Sequence, residues 1–162
     1  MAKLSPRLAL SLMGLASGVS VALALLAQHK FGMEPCPWCI LQRMIFIVLT
    51  VLCLLAAALP GALPRRALSA LTLPLTLGGI GAALWQHFVA AKSASCALTF
   101  ADKLITFVGA DTRWPDIFEV RASCADAAAS VLGVPFEFWS LALFAVVGMA
   151  LLYSIVTPDR RA

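Results

Sequence analysis

The chain has 162 residues, of which 62% are hydrophobic and only 12% charged, and its mean hydropathy is +0.95. A soluble domain is nearer half apolar and a quarter charged, so this composition excludes an ordinary soluble enzyme and describes an integral membrane protein. The net charge of +4 is then a matter of topology and not a nucleic-acid footprint.

Four apolar runs are long enough to cross a bilayer. The first covers about 8–28, LALSLMGLASGVSVALALLAQ. At about 1.5 Å per residue it spans the roughly 30 Å hydrocarbon layer. Lys3 and Arg7 precede it. The run exceeds the apolar core of a secretion signal, so it reads as a retained span. The second covers about 40–59, with Arg43 near its start. The third covers about 67–91, where Pro74 and the Gly78-Gly79-x-Gly81 cluster predict a bend or a close helix contact. The fourth covers about 138–157 and is entered through VPFEFW, whose Phe136, Phe138 and Trp139 fit an interfacial aromatic belt. The expected fold is an all-α membrane protein, a four-transmembrane-helix bundle forming one domain over 1–162.

Four spans put both termini on one side. That side, with the short connection PGALPRR, holds six basic residues (Lys3, Arg7, Arg65, Arg66, Arg160, Arg161) against one acid, Asp159. The other side holds six basic residues against seven acids. Basic residues in short connections mark the cytoplasm. The loops at about 29–39 and 92–137 are therefore expected to face outward, away from the cytoplasm. In the longer loop, TRWPDIFEV could lay Trp114, Ile117 and Phe118 on the membrane while Asp116 and Glu119 face water, or could be an ordinary amphipathic segment.

The five cysteines follow this division. Cys36, Cys39, Cys96 and Cys124 fall in or beside the outward loops, where disulfides persist, and Cys53 falls mid-span as a small core residue. In Cys36-Pro37-Trp38-Cys39, a cap at Cys36 would put Pro37 at the first helical position and Cys39 in the first turn. That turn has free N–H groups and the positive end of the helix dipole, both of which favour a thiolate. Arg43, four residues on, shares the face of Cys39. Three readings compete: a redox pair, a static disulfide and a metal clip. A clip would call for a second closely spaced pair, which Cys96 and Cys124 are not. Closing so short a loop stabilises little and leaves the arginine unexplained. The redox pair is the favoured reading. Arg43 could also be a snorkelling interfacial residue, and His87, in LWQHF at the outward end of the third span, a polar helix-end anchor.

PCPWCILQR at the mouth of the second span, two separated loop cysteines and LGVPFEFWSL entering the fourth span resemble the DsbB family of disulfide-bond formation proteins. The resemblance covers nearly the whole chain. It implies a quinone-dependent thiol oxidoreductase whose catalytic cysteines are Cys36, Cys39, Cys96 and Cys124. Cys96 and Cys124 form the loop pair, and Cys96 makes the mixed disulfide with a soluble, periplasmic, DsbA-like thioredoxin-fold oxidase. Cys39 meets the ring of ubiquinone or menaquinone, with Arg43 and His87 as quinone-binding residues. Some members carry an acid where Gln42 stands. Two alternatives are kept: a vitamin K epoxide reductase-type enzyme, in which the membrane pair follows the loop pair, and a non-enzymatic scaffold with structural disulfides.

Overall fold

The computed structural model describes residues 4–92 and 99–157. Cys96, and the terminal charges at 3 and 159–161, lie outside the described residues. Four long helices, α1 (Pro6–Phe31), α2 (Pro37–Ala58), α3 (Ala62–Phe88) and α7 (Phe136–Val156), are long and apolar enough to cross a membrane. Between α3 and α7 lie a 3-10 turn (Ala90–Lys92), three short helices, α4 (Phe100–Val108), α5 (Ala110–Arg113) and α6 (Pro115–Phe118), and a two-stranded hairpin, β1 (Ser130–Val131) and β2 (Val134–Pro135).

The long helices pack as a ring: α1 against α2, α2 against α3, α3 against α7, and α7 back against α1. In lipid no hydrophobic difference separates a helix face from its surroundings, so close approach of small residues and internal polar bonds hold such a bundle. Gly79 on α3 is the point of closest approach, facing the ring of Phe144 on α7. That ring stacks on Phe46 of α2 with centroids 4.0 Å apart. Gly78 and Gly81 face open space, so the glycine cluster resolves into one packing residue and two bystanders. The residues around Leu10, Leu49, Cys53, Val147 and Leu151 complete the core.

One end of the bundle collects the chain start, the α2–α3 connection and the end of α7. Tyr153 donates to the Leu4 carbonyl, Arg7 to the Leu59 carbonyl and Arg66 to the Thr157 carbonyl. Arg65 and Arg66, read from sequence as part of a connection, lie inside α3. Arg65 is fully buried, its Nε donating to Ser154 Oγ, with Ser69 bonded to the same hydroxyl. With Ser154 of α7 as its partner, Arg65 sits within a helix that begins five residues before the apolar run.

The opposite end carries Cys36, Cys39 and Cys124. The first loop is shorter than the sequence implied, because α1 continues to Phe31 and ends at Gly32 in a left-handed cap (φ 64). The second loop is folded. α4 starts with a capping box, Thr99 and Asp102 bonding reciprocally, and buries Ile105 with Ile40, Ala110 and Phe118. Phe118 thus belongs to a small core, while Trp114 stays exposed; only part of the interfacial expectation for this segment fits. The hairpin pairs Val131 with Val134 across Leu132 and Gly133, both at positive φ. A leucine there is uncommon, which hides the turn from propensity.

Candidate redox site

Cys36 is the N-cap of α2. Its backbone is extended (φ −84, ψ 167) and its sulfur accepts from the Cys39 N–H at 3.3 Å. Pro37 fills the first helical position, where the missing N–H has no intrahelical role. This cap turns the two side chains toward each other, with sulfurs 2.8 Å apart. Cys124 joins them. The Pro35 carbonyl accepts from the N–H groups of Arg121 and Ala122, which draws the second loop onto the first. Cys124 then hydrogen-bonds Cys36. The contacts with Cys124 and with Cys39, together with burial, hold the Cys36 thiol far above the ordinary thiol range. The same bond pulls Cys124 down.

Arg43 lies one turn below Cys39. Its Nη1 donates to Gln28 Oε1 at 2.9 Å and to the Ile117 carbonyl. Gln28 in turn donates to the Asp116 carbonyl at 3.3 Å. Arg43 therefore ties α1 and the turn at 115–118 to the mouth of α2. Its Nε is buried and has no partner among the described residues.

Beside this cluster lies a cavity of about 560 Å³ between α1, α2, α3 and α7. Its walls are apolar (Val21, Ala24, Phe46, Phe136, Leu143), with Cys39, Gln42, Arg43, Gln86 and Glu137 as its main polar groups. A smaller cavity of about 260 Å³, under the two loops, shares Cys39 and Arg43 with it.

His87 is not among the residues lining either cavity. Its Nδ1 lies 2.7 Å from Glu137 Oε1, and its ring packs on Phe88 and Phe138. Glu137 stands between it and the larger cavity. Cys53 is fully buried in the core, as expected of it. The sequence reading passed over Gln28, Gln86 and Glu137 and gave Gln42 no role of its own. The available signal was their polarity inside or at the mouths of apolar spans, all toward one end.

Packed apolar spans, a capped dithiol and an adjoining apolar cavity define a membrane-embedded thiol redox protein. The profile of the family described as "Disulfide bond formation protein DsbB" matches residues 6–154. Disulfide bond formation protein B of Ralstonia nicotianae is 32% identical over 87% of this chain and 88% of its own. The protein of that name from Verminephrobacter eiseniae is 34% identical over 98% and 90%. Disulfide bond formation protein B 1 of Pseudomonas putida is 29% identical over 94% and 92%. The chain belongs to the DsbB family, and its role is in disulfide-bond formation.

Proposed function

We propose that this protein reoxidises a periplasmic, DsbA-like thioredoxin-fold oxidase and delivers the electrons to membrane quinone, lying in a bacterial inner membrane with both termini cytoplasmic. One observation carries the reading. Cys39 belongs both to the cysteine cluster and to the wall of an apolar cavity that Arg43 also lines. A quinone head group fits that chemistry, because it wants apolar walls and a donor at its carbonyl oxygen. Arg43, with Phe46 and Leu143 as walls, would hold it. Bound quinone supplies a two-electron, two-proton acceptor.

The protein's own residues do the rest by thiol–disulfide exchange. A thiolate of the reduced partner attacks Cys96 of the Cys96–Cys124 disulfide, and Cys124 leaves as thiolate. The partner's second thiol resolves the mixed disulfide, leaving the partner oxidised and both loop cysteines reduced. Cys124 then attacks Cys36 of the Cys36–Cys39 disulfide, expelling Cys39 as thiolate. Cys96 attacks Cys124, restoring the loop disulfide and leaving Cys36 and Cys39 reduced. Oxidation of that pair returns it to a disulfide and releases two electrons and two protons. The Cys36–Cys124 contact supports the inter-pair step, because it sets the attacking sulfur beside the sulfur it must reach. The first turn of α2 and the charge of Arg43 stabilise the Cys39 thiolate as it is expelled.

The test is anaerobic reduction of a soluble quinone by reduced partner and purified protein. Cys39→Ser should abolish turnover and Cys53→Ser should retain it. Turnover by Cys39→Ser would refute the electron route.

A further inference from the structure

Gln86 and Gln42 form a buried amide relay that ends on the sulfur of Cys39. Gln86 Nε2 donates to Cys39 Sγ at 3.3 Å, and Gln86 Oε1 accepts from Gln42 Nε2 at 2.6 Å. Both side chains are buried, at 6% and 4% exposure, at the mouths of helices otherwise facing lipid or core. Burying two amides costs free energy unless they pair, and their pairing here is directional. An amide beside a sulfur can offer either its N–H or its carbonyl oxygen. A thiolate accepts only, so a carbonyl turned toward it would repel it. By donating to Oε1, Gln42 occupies the carbonyl end of Gln86 and leaves the N–H end for sulfur. The relay is neutral, so it stabilises the anion without the charge that a lysine or arginine would leave behind once Cys39 is oxidised.

We infer that Gln86 is a further catalytic residue, the hydrogen-bond donor that stabilises the Cys39 thiolate, and that Gln42 is its positioning residue. The inference rests on the reading above, in which Cys39 is the thiolate expelled toward the cavity. It adds to the charge of Arg43 a hydrogen-bond donor on the sulfur itself, from a position 47 residues away in the chain. It also gives Gln42 a task that an acid at that position would not perform. A carboxylate has no N–H to hold the Gln86 carbonyl and would draw the Gln86 N–H away from sulfur.

The test uses quinone-free protein, so it is independent of whether quinone binds. In a Cys36→Ser background, the rate of iodoacetamide labelling at Cys39 is followed against pH by mass spectrometry. Gln86→Met keeps the volume and removes the donor. A hydrogen bond to a charged acceptor is lost, which should raise the pH of half-maximal labelling by about one unit, a roughly tenfold fall in rate below the midpoint. Gln42→Met should move the midpoint the same way by less. The double variant should match Gln86→Met alone, because Gln42 acts through Gln86. Gln86→Leu serves as a second donor-free variant where Gln86→Met folds poorly, as judged by helix content. An unmoved midpoint in a folded Gln86 variant overturns the assignment of Gln86. Additive shifts in the double variant overturn that of Gln42. Failure of the quinone reading would appear separately, as turnover by Cys39→Ser with the labelling profile intact.

Discussion

Replacing Gly79 by alanine tests the packing that shapes the cavity. An added Cβ would lie 2.6 Å from Cδ1 and Cζ of Phe144. The Phe144 ring is fully buried and stacked on Phe46 with planes 5° apart, so it cannot swing aside without moving Phe46. Overpacking of this kind costs about 1–3 kcal/mol. The better helix propensity of alanine returns roughly 0.8–1 kcal/mol. The net expectation for Gly79→Ala is a loss of about 0–2 kcal/mol. Gly81 has nothing within 4 Å, so Gly81→Ala should show only the propensity gain. The propensity gain is common to both, so the two variants should differ by the overpacking cost, about 1–3 kcal/mol, in unfolding from mixed detergent micelles, followed by helical circular dichroism. Phe46 also walls the cavity, so Gly79→Ala should raise the KM for quinone while Gly81→Ala leaves it unchanged. Equal stability of the two variants would refute the claim that Gly79 is the close contact.

The remaining predictions concern the polar end. Arg43→Gln should raise the quinone KM about tenfold or more, since a charged donor is worth roughly 1.5–3 kcal/mol. It should also make the turn at 115–118 more sensitive to protease, because the Ile117 carbonyl loses its donor. With all cysteines reduced, Cys124 should be alkylated before Cys36 at about pH 8. The sign follows from the shifts: the lowered Cys124 thiol ionises first as pH rises, and the raised Cys36 thiol stays protonated. Equal labelling rates would contradict the shared-proton arrangement. Mixed with oxidised partner, Cys124→Ala should accumulate a mixed disulfide formed by attack of the Cys96 thiolate on the partner's disulfide, visible on non-reducing gels as a reductant-sensitive species. Cys53→Ala should keep full turnover; loss of activity in a folded variant would show that its buried thiol is more than packing.

The four spans were legible because a helix crossing lipid must be apolar over its whole length, and that requirement is local. The cap at Cys36 was legible for the same reason, as Pro37 and the cysteine spacing fix it within one turn. The side-chain partners were not. Gln42 meets Gln86 across 44 residues, His87 meets Glu137 across 50 and Gln28 meets Asp116 across 88. Those meetings depend on how each helix is rotated about its axis, and hydropathy does not report rotation when most faces are apolar. Arg65 misled for a related reason. Its charge suggested a connection exposed to water, while Ser69 and Ser154 made a buried place for it. At the site, the sequence brought forward cysteines and cations but overlooked neutral amides. Their contribution lies in orientation, which composition does not record.

Arg43 and Gln28 grip the turn at 115–118 by its carbonyl oxygens, at Ile117 and Asp116, and not by its side chains. Every residue has that oxygen. The outward side chains of the turn, such as Trp114, Asp116 and Glu119, are thus free to diverge between lineages while the segment keeps its seat. Substituting those side chains leaves the fastening beneath them in place, because the backbone makes it.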